Sequence, residues 1–421
     1  ASTSLATNAS GDGALDLYQI IDGLVGDPAR AEDVFAADPL RDMWQRIADE
    51  VQAKLGFPLE PELFSNMVVV ALLGDGLEPR LKPILTSLLG TFRHSDMRGL
   101  YHFFTSLRFA GDTDCTGMAA RARLALGELD PATERGALDL ARICDRLLGS
   151  AAVDRLSAEE NATYGKENGA LQRHVFKVYL DDHELQGAAL DRGLKNNPGV
   201  SVNALFPLLV ELTLGWRDPQ ARVALKEFPG PGAAAREGSA TVVEIVARNL
   251  AYVVGHLFTG AWRDGCRYYG SPDSYLCFFS DLVREFPEID ELFCVNVWLQ
   301  AAVVERRSAV TSGIADPRSA LNLALRAIAA DNLGLDASVE RAGLLALQAR
   351  DGGFHDFSPL YAFGTSHGPR VHFGSVAQTT ALAFRALSSE RPRSLPRGGG
   401  AVFREIERSV LAAAAVESAS S

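Results

Sequence analysis

Two aspartates separated by one residue are the side chains of this sequence best suited to acid chemistry. Asp112 and Asp114 lie in the segment Asp-Thr-Asp-Cys-Thr, which ends at Thr116. Two carboxyl groups in one low-dielectric site cannot both ionise readily, so such a pair tends to share a proton and to titrate as a unit. Because the shared proton is retained near neutral pH, the pattern predicts an acid that is ready to protonate a substrate.

The residues after the pair predict a helix that would stabilise the anion left by proton transfer. Residues 116–126 are mostly small and apolar, and the N-terminus of a helix carries a partial positive charge that favours a nearby carboxylate. The thiol of Cys115 is a weak donor that could solvate this anion without adding a charge. Asp and Thr are also ordinary N-cap residues, so helix capping alone is the alternative interpretation of this segment.

This segment, flanked upstream by Arg108 and Phe109, resembles the acid motif of the class II (protonation-initiated) terpene cyclases, Asp-x-Asp-Asp-Thr, and the Asp-Cys-Thr-Ala core of oxidosqualene cyclases. Residue by residue, the resemblance makes Asp112 the first carboxylate and Asp114 the proton donor. Cys115 follows the donor, and Thr116 is the threonine at the helix start. Because Cys115 replaces the last Asp of the first pattern, the substrate stays open between an alkene and an epoxide.

A second segment resembles a structural repeat of related proteins. Residues 345–354 end a predicted helix with Gln348, three intervening residues, and then Gly-x-Phe ending at Phe354, and a small-residue helix begins at Ser375. This shape is similar to the Gln-to-Gly-x-Trp/Phe repeat of squalene cyclases and of protein prenyltransferase β subunits. In those families the Gln caps a helix end and the aromatic side chain packs on the next outer helix. The resemblance implies an all-α (α/α)6 double-helical barrel, with the carboxyl pair and residues 366–375 at the same end.

The periodicity of the chain predicts one helix after another and few strands. Apolar residues recur at three- and four-residue spacing from Leu15 onward. Some helices carry a charged face and others are small and apolar throughout, which predicts an outer and an inner layer; a helical solenoid is the alternative. We expect a flexible tail at 1–13 and one barrel domain at 14–421 that includes an N-terminal helical extension. Predicted helices span 38–55, 60–74, 78–91, 116–128, 133–148, 201–214, 240–258, 273–286, 290–306, 317–331, 338–349, 374–388 and 401–415.

A carbocation needs aromatic faces around it, because π-systems attract cations. The segment 262–273 places paired aromatic residues and two arginines in a turn between predicted helices. The expected substrate-binding aromatic residues are Phe176, Trp262, Tyr268, Tyr269 and Tyr275. Other candidates, each also an ordinary core residue, are Phe103, Phe104, Tyr179, Phe278, Phe279 and Trp298.

Cationic side chains would be needed if the substrate carries a diphosphate. Arg173 with Lys177, and Arg263 with Arg267, are each four residues apart and could share a helix face. Solvated surface charge is the alternative for both pairs. The sequence has no Asp-Asp-x-x-Asp cluster, the motif typical of terpene synthases that start by ionising a diphosphate. We therefore expect no required cofactor and no protein metal site, with Mg²⁺ entering only alongside a diphosphate substrate.

Two other functions remain open at this point. A zinc-dependent prenyltransferase of the same fold would use Asp264 and Cys266 with His367 or His372 as ligands, and such groups do bind zinc. A non-catalytic barrel could instead bind an isoprenoid or a protein partner. The cyclase interpretation, with a polyprenyl or polyprenyl diphosphate substrate cyclised through a carbocation, is preferred. The residues after Cys266, Arg-Tyr-Tyr-Gly-Ser-Pro, are not the aromatic helix of the prenyltransferases, and the intact carboxylates of Asp112 and Asp114 argue against a non-catalytic barrel.

Composition sets further limits. The 421 residues, 47% of them hydrophobic and 22% charged, are typical of a globular protein with a sizeable core. A net charge of -12 without a dense Lys/Arg run argues against nucleic acid as a partner. The longest apolar run, residues 67–73, is far shorter than the roughly 20 residues of a membrane-spanning helix. Five scattered cysteines and a start unlike a signal peptide predict a cytoplasmic protein, and any protein partner or homo-oligomer stays open.

Overall fold

The computed structural model describes residues 53, 62–74, 81–93, 99–104, 110–153, 173–180, 195–227, 236–355, 358–364, 370–388 and 394–419. The expected tail at 1–13 and nearly all of the predicted helix at 38–55 lie outside these residues, as do Arg108, Phe109, Ser366 and His367.

Within the described residues the secondary structure is mostly helical, as predicted. Two antiparallel hairpins are the strand elements of this part of the chain. The first pairs β1 (Arg222–Glu227) with β2 (Arg236–Thr241), and the second pairs β3 (Tyr361–Gly364) with β4 (Arg370–Phe373). The helices are α1 Phe64–Leu73, α2 Lys82–Arg93, α3 Thr113–Ala125, α4 Glu134–Gly149, α5 Pro198–Thr213, α6 Val242–Phe258, α7 Pro272–Glu285, α8 Glu288–Phe293, α9 Val295–Ser308, α10 Ala320–Asn332, α11 Ser338–Leu347, α12 Val376–Leu387 and α13 Ala401–Ala419.

One predicted helix is two separate helices in the structure. The periodicity predicts a single helix over 290–306, but the chain breaks between α8 and α9 at Cys294, whose φ of 52° is left-handed. A non-glycine residue in this conformation ends a right-handed helix. Asp290 holds the break, because its carbonyl accepts from the Cys294 N–H and its carboxylate accepts from the Asn296 N–H at 2.7 Å.

Six of the described helices form a closed ring. Helix α1 packs on α3, α3 on α5, α5 on α7, α7 on α10, α10 on α12, and α12 packs back on α1. Every residue of α1 and α5 is buried, as expected for helices surrounded on all sides. Because the ring closes, the structure is the predicted (α/α)6 barrel and not an open solenoid.

A second layer of helices surrounds this ring. Helix α2 packs on α1, α4 on α3 and α5, α6 on α5, α9 on α7, and α11 on α10 and α12. These helices are two-faced: α4 buries Leu140, Ile143 and Leu147 and exposes its other side. The predicted inner and outer layers are therefore confirmed, and both small-residue segments, 116–126 and 375–387, supply ring helices.

The repeat-like segment after α11 forms a tight turn. Gln348 follows the last helical residue, and its side-chain Nε2 donates to the carbonyl of Gly352 at 3.0 Å. Phe354 is buried, and its backbone N–H donates to Thr380 Oγ1 on ring helix α12 at 3.1 Å. The Gln and the aromatic residue thus connect an outer helix to the next ring helix.

All six ring helices begin at the same end of the barrel. Contacts between neighbouring starts show this: Ser65 at the start of α1 bonds Gln378 on α12, Asp114 on α3 bonds Asn203 on α5, and Ser271 before α7 bonds Asn322 on α10. Helix N-termini carry partial positive charge. This end of the barrel is therefore suited to holding negative charge.

Buried charges close the opposite end. Arg121 forms an ion pair with Asp281, Arg385 lies 3.5 Å from the same carboxylate, and the Arg121 guanidinium stacks 4.0 Å from the centroid of Phe206. Burial is the main cause that lowers the pKa of both arginines to about 9. We call these buried groups the polar layer. Every ring helix contributes to it, through the Leu72 carbonyl, Arg121, the Phe206 ring under the Arg121 guanidinium, Asp281, Asn332 and Arg385.

No helix among the described residues is long and apolar enough to cross a membrane.

The polar layer predicts a large stability difference between buried and exposed ion pairs. Asp281→Asn should destabilise the protein by about 3–5 kcal/mol, because removing one partner leaves buried arginine charge uncompensated. Glu305→Gln is the control: its partner Arg263 is exposed, and such pairs contribute less than about 1 kcal/mol. Urea unfolding followed by circular dichroism measures both losses, and equal losses would contradict a role of the layer in holding the ring together.

Candidate active site

Asp112 is the N-cap of ring helix α3. Its backbone is extended, and its carboxylate Oδ1 accepts from the Cys115 N–H at 2.6 Å. The Asp112 N–H donates to the Tyr101 carbonyl at 3.1 Å, which joins the start of α3 to residues 99–104. The capping interpretation is thus confirmed for Asp112, which is 2% exposed.

Asp114 is fully buried two residues further on, and it is not a cap. Its Oδ2 accepts from the Tyr269 hydroxyl at 2.5 Å, and its Oδ1 accepts from Asn203 Nδ2 at 2.7 Å. Tyr269 precedes α7 and Asn203 lies on α5, so the groups come from three separate parts of the ring. Because both oxygens accept from neutral donors, the site stabilises the carboxylate form without a permanent cation.

The two carboxyl groups have raised pKa values of different size. Burial, followed by the charge of Asp114, raises the pKa of Asp112 to about 8. Burial raises the pKa of Asp114 to about 6, and the hydrogen bonds from Asn203 and Tyr269 limit that rise. The pair therefore holds a proton near neutral pH, and Asp114 is the stronger acid of the two.

The next two residues of the motif support this arrangement from the helix. Burial, and then the charges of Asp112 and Asp114, raise the pKa of the Cys115 thiol well above its usual value. Cys115 is therefore a neutral thiol beside the carboxyl groups. Thr116 is buried, and its Oγ1 accepts from the Tyr101 N–H at 3.1 Å, so it fixes the neighbouring segment.

Aromatic rings surround the end of the barrel where Asp114 lies. Tyr361 is central: its ring stacks on Tyr268 at 5.5 Å, meets Tyr269 edge-on at 5.4 Å and stacks on Phe103 at 5.1 Å between centroids. We call these rings and their neighbours the aromatic cluster: Phe64, Phe103, Phe104, Tyr179, Tyr268, Tyr269, Phe278, Tyr361 and Phe373. Tyr361 and Phe373 lie on the β3–β4 hairpin and place it at the end of the barrel that holds the carboxyl pair. The described part of residues 366–375 is therefore at the predicted end.

The predicted cationic pair at Arg173 and Lys177 does not share a helix face, and this expectation is wrong. Residues 173–180 form turns and short bridges, with His174 at a left-handed φ of 62°. Arg173 is exposed, whereas Lys177 is buried and its carbonyl accepts from Thr113 Oγ1 at 2.6 Å. Phe176 is buried beside outer helix α6, and its N–H donates to Asn249 at 3.0 Å.

The second cationic pair is also not on one helix face. The 3-10 turn Ala261–Asp264 ends at Gly265, whose φ of 68° turns the chain before Arg267. Arg263 is exposed, stacks 4.9 Å from the ring of the buried Trp262 and forms an ion pair with Glu305 on α9. Arg267 lies 5.8 Å from the ring centroid of Tyr268, which places it beside the aromatic cluster.

Three candidate aromatic residues lie elsewhere. Tyr275 is buried on α7, but its hydroxyl donates to the Val253 carbonyl on α6 at 2.7 Å and its ring contacts His256. Phe279 packs beside Tyr275, and Trp298 is 51% exposed on α9. The structure thus does not bring these rings to the carboxyl pair.

The described residues contain no group of three His, Cys, Asp or Glu side chains that could hold a metal ion. Asp264 is exposed and Cys266 partly buried, and with His372 they do not form such a group. The zinc alternative therefore lacks an assembled site in this part of the chain, while His367 lies outside it.

Four residues of the site are not predicted by the sequence analysis: Phe64, Asn203, Tyr361 and Phe373. Asn203 has a detectable signal, because it and Ser201 are the polar residues of the otherwise apolar segment 198–210. A buried polar side chain needs a partner, so its position predicts a functional or structural bond. Tyr361 has no comparable signal, since its role depends on a hairpin whose pairing links residues 361 and 373.

No protein-family model matches the chain. A stretch of 151 residues is 29% identical to the drimenol cyclase drtB of Aspergillus calidoustus, and this stretch is 36% of the chain and 26% of that protein. The chain thus spans about a quarter of the curated relative that it matches. This finding confirms the resemblance to terpene cyclases.

Solved structures with similar folds include the type II terpene cyclase MstE from Scytonema, with a TM-score of 0.44 and 13% identity over 79% of this chain and 90% of that chain. A protein from Actinoplanes gives a TM-score of 0.49 and 14% identity over 79% and 91%. MstE with geranylgeranyl dihydroxybenzoate, described as its substrate, gives 0.43 and 11% over 79% and 89%.

The raised pKa of Asp112 predicts that stability falls as pH rises. The folded state binds more protons than the unfolded state between the ordinary aspartate pKa of about 4 and the folded value of about 8. Folding is therefore most favoured at the acidic side of this window, and the advantage is lost toward pH 8. Asp112→Asn should remove up to about 4 kcal/mol of the difference between pH 5 and pH 8, at 1.36 kcal/mol per pKa unit.

Urea unfolding at the two pH values measures this difference. Asp264→Asn, at an exposed position, is the control and should keep the wild-type pH dependence. An unchanged dependence in Asp112→Asn would show that Asp112 keeps its ordinary pKa in the folded protein.

Proposed function

We propose that the protein is a class II terpene cyclase-like enzyme that cyclises a polyprenyl or polyprenyl diphosphate substrate, with Asp114 as the general acid. The observation that carries the proposal is the position of Asp114, buried beside a second carboxyl group and the aromatic cluster, with both oxygens bonded to neutral donors. The sequence match to a drimenol cyclase supports the same class of chemistry. In this proposal residues 14–421 form one barrel domain with an N-terminal extension.

In the first step the proton that the pair shares moves onto Asp114, and Asp114 transfers it to a terminal alkene carbon, or to the oxygen of an epoxide. The electrons of the broken O–H bond stay on Asp114, and the alkene or epoxide becomes a carbocation that neighbouring double bonds attack. The hydroxyl of Tyr269 and the amide of Asn203 then solvate the new carboxylate. Donors that are already in place stabilise this charge without reorganising during the reaction.

Asp112 and Cys115 have supporting roles in this proposal. Asp112 shares the proton of the pair, because the two carboxyl groups interact and cannot both ionise easily. Cys115 keeps a neutral thiol beside them. Together they hold the proton in the site until the substrate arrives.

The aromatic cluster would stabilise the carbocation as it moves through the substrate. Each ring presents a negative face that attracts a cation within about 6 Å, and the attraction strengthens where water is excluded. Tyr268, Tyr269 and Tyr361 are buried; Tyr269 bonds Asp114, and the ring of Tyr361 contacts the other two rings. Protonation requires no cofactor in this scheme, and Mg²⁺ enters it only as the companion of a diphosphate group.

Asp114→Asn tests the acid directly. The amide keeps the shape of the side chain but cannot protonate an alkene, so turnover should fall by about 10²–10⁴-fold while the fold survives. Asp112→Asn should be milder, and Cys115→Ser milder still because a hydroxyl also donates to the anion. Product formation from farnesyl diphosphate, geranylgeranyl diphosphate and oxidosqualene measures these rates.

Deuterated water separates the two types of substrate in the same assays. Protonation of an alkene places one carbon-bound deuterium in the product, whereas opening an epoxide places the initiating deuterium on oxygen. Near-normal turnover by folded Asp114→Asn would exclude Asp114 as the acid and leave the motif as a helix cap.

Tyr269→Phe tests whether the Tyr269 hydroxyl lowers the pKa of Asp114. Loss of the hydroxyl removes a donor that lowers the pKa of Asp114, so the pair should stay protonated to a higher pH while Asp114 becomes a weaker acid. The alkaline limb of the kcat/KM profile should therefore move to higher pH, and the maximal rate should fall. Tyr275→Phe is the matched control, because that hydroxyl bonds the Val253 carbonyl and not the acid; equal shifts in both variants would contradict the proposed tuning.

A further inference from the structure

A third buried carboxyl group lies close to the proposed acid. Glu62 is 3% exposed, and its Oε2 accepts at 2.8 Å from the N–H of Ser65, the second residue of ring helix α1. Its other oxygen, Oε1, is buried and has no hydrogen-bond partner among the described residues. A buried polar atom without a partner costs about 1–3 kcal/mol, so its retention calls for an explanation.

A buried donor without a partner lies beside it. Gln378, on ring helix α12, is 2% exposed, and its Oε1 accepts from Ser65 Oγ at 3.3 Å. Its Nε2 has no hydrogen-bond partner among the described residues. Glu62 and Gln378 thus bond the same serine, and each keeps one free polar atom. These two atoms suit a small ligand that can both donate and accept.

The backbone places this cluster next to the acid pair. Residues 101–104 form the middle of a short ladder: Leu63 N–H donates to the Phe103 carbonyl on one side, and Asp112 N–H donates to the Tyr101 carbonyl on the other. Glu62 also pairs with Phe104 as an isolated bridge. Adjacent segments of such a ladder lie about 5 Å apart, so the backbones of Glu62 and Asp112 are roughly 10 Å apart across the ladder and are offset along it by the three residues from Phe104 to Tyr101. A short chain of water molecules would connect the two side chains.

The electrostatics agree with this placement. Burial raises the pKa of Glu62, so this side chain keeps a proton above the usual range of a glutamate. After burial, the charges of Asp112, Asp114 and Glu62 all raise the pKa of the Cys115 thiol. Cys115 is therefore within electrostatic reach of both the acid pair and Glu62.

We propose that Glu62 and Gln378 bind an ordered water molecule, and that the Glu62 carboxyl group returns a proton to the Asp112–Asp114 pair after each turnover. This proposal rests on the proposed function, which uses up one proton of the pair when the substrate is protonated. Glu62 passes its proton through the water to the pair and becomes a carboxylate, and solvent then protonates Glu62. The proton consumed at initiation is balanced by the one that the cyclised cation, or a water added to it, releases to solvent.

Glu62→Gln tests the proposal, because the amide oxygen still accepts from Ser65 but the side chain cannot deliver a proton. Rapid-quench kinetics, with whichever of the three test substrates the wild-type protein converts, should show a first turnover within about twofold of wild type. Later turnovers should slow by about tenfold or more, within the range that proton-transfer groups contribute. Gln378→Leu, which removes only the donor to the water, should give the same burst with a smaller loss.

Glu128→Gln is the matched control, since it makes the same change beyond the other end of α3, about 20 Å away at 1.5 Å per residue. It should show no burst. An independent readout is the infrared carbonyl absorption of protonated carboxylic acids at pH 7, to which Asp112 also contributes; Glu62→Gln should lower its intensity and Glu128→Gln should leave it unchanged.

Each outcome decides between the two proposals. Wild-type steady-state rates in Glu62→Gln and Gln378→Leu, or a first turnover as slow as the later ones, would overturn the role of Glu62 and leave the cyclase proposal standing. If Glu62→Gln does not fold, Gln378→Leu carries the test, because it removes the donor to the water and keeps every carboxyl group. Failure of the wild-type protein to convert any of the three substrates would overturn the proposed function and the proton return with it.

Discussion

The burial of two carboxyl groups at one end of the barrel is the constraint on which the rest of the site depends. A carboxylate loses favourable hydration when it is buried, and this loss either raises its pKa or must be offset by donors. The structure uses both responses. The charge of Asp114 adds to burial in raising the pKa of Asp112 to about 8, whereas the hydrogen bonds from Asn203 and Tyr269 limit the pKa of Asp114 to about 6. These opposite influences make Asp112 hold a proton and Asp114 release one more easily.

The barrel separates its buried charges according to the direction of the ring helices. The carboxyl groups lie where the helices begin, and the arginines of the polar layer lie toward their C-terminal ends. Helix dipoles favour anions at the first position and cations at the second. The same arrangement keeps Arg121, seven residues along α3 from Asp114, about 10 Å from the acid. A closer guanidinium would favour the carboxylate and deprive the pair of its proton.

Much of this could be predicted from the sequence, because the relevant signals are local. The acid motif, the small-residue ring helices and the Gln348 turn each occupy a short segment whose residue types fix the local structure. The predictions for the two cationic pairs were wrong because a spacing of four residues gives a shared face only in a helix. These segments are not helical, since His174 and Gly265 adopt left-handed backbone conformations. Asn203 contacts the motif from a position 89 residues away in the sequence. Glu62 and Tyr361 are brought to it by short β-bridges and strand pairing. Apolar periodicity does not predict contacts of either kind.

The site also explains why this end of the barrel needs so many weakly interacting neutral groups. A cation beside Asp114 would keep the carboxyl pair ionised, and a permanently charged carboxylate in contact with Asp114 would make protonation too favourable for the proton to leave. Hydroxyl, amide and thiol groups lie between these limits, since they solvate a carboxylate without fixing its charge. Tyr269, Asn203 and Cys115 are such groups, and each touches or adjoins the pair. Their neutrality lets the acid alternate between its two protonation states with little change in the surrounding structure.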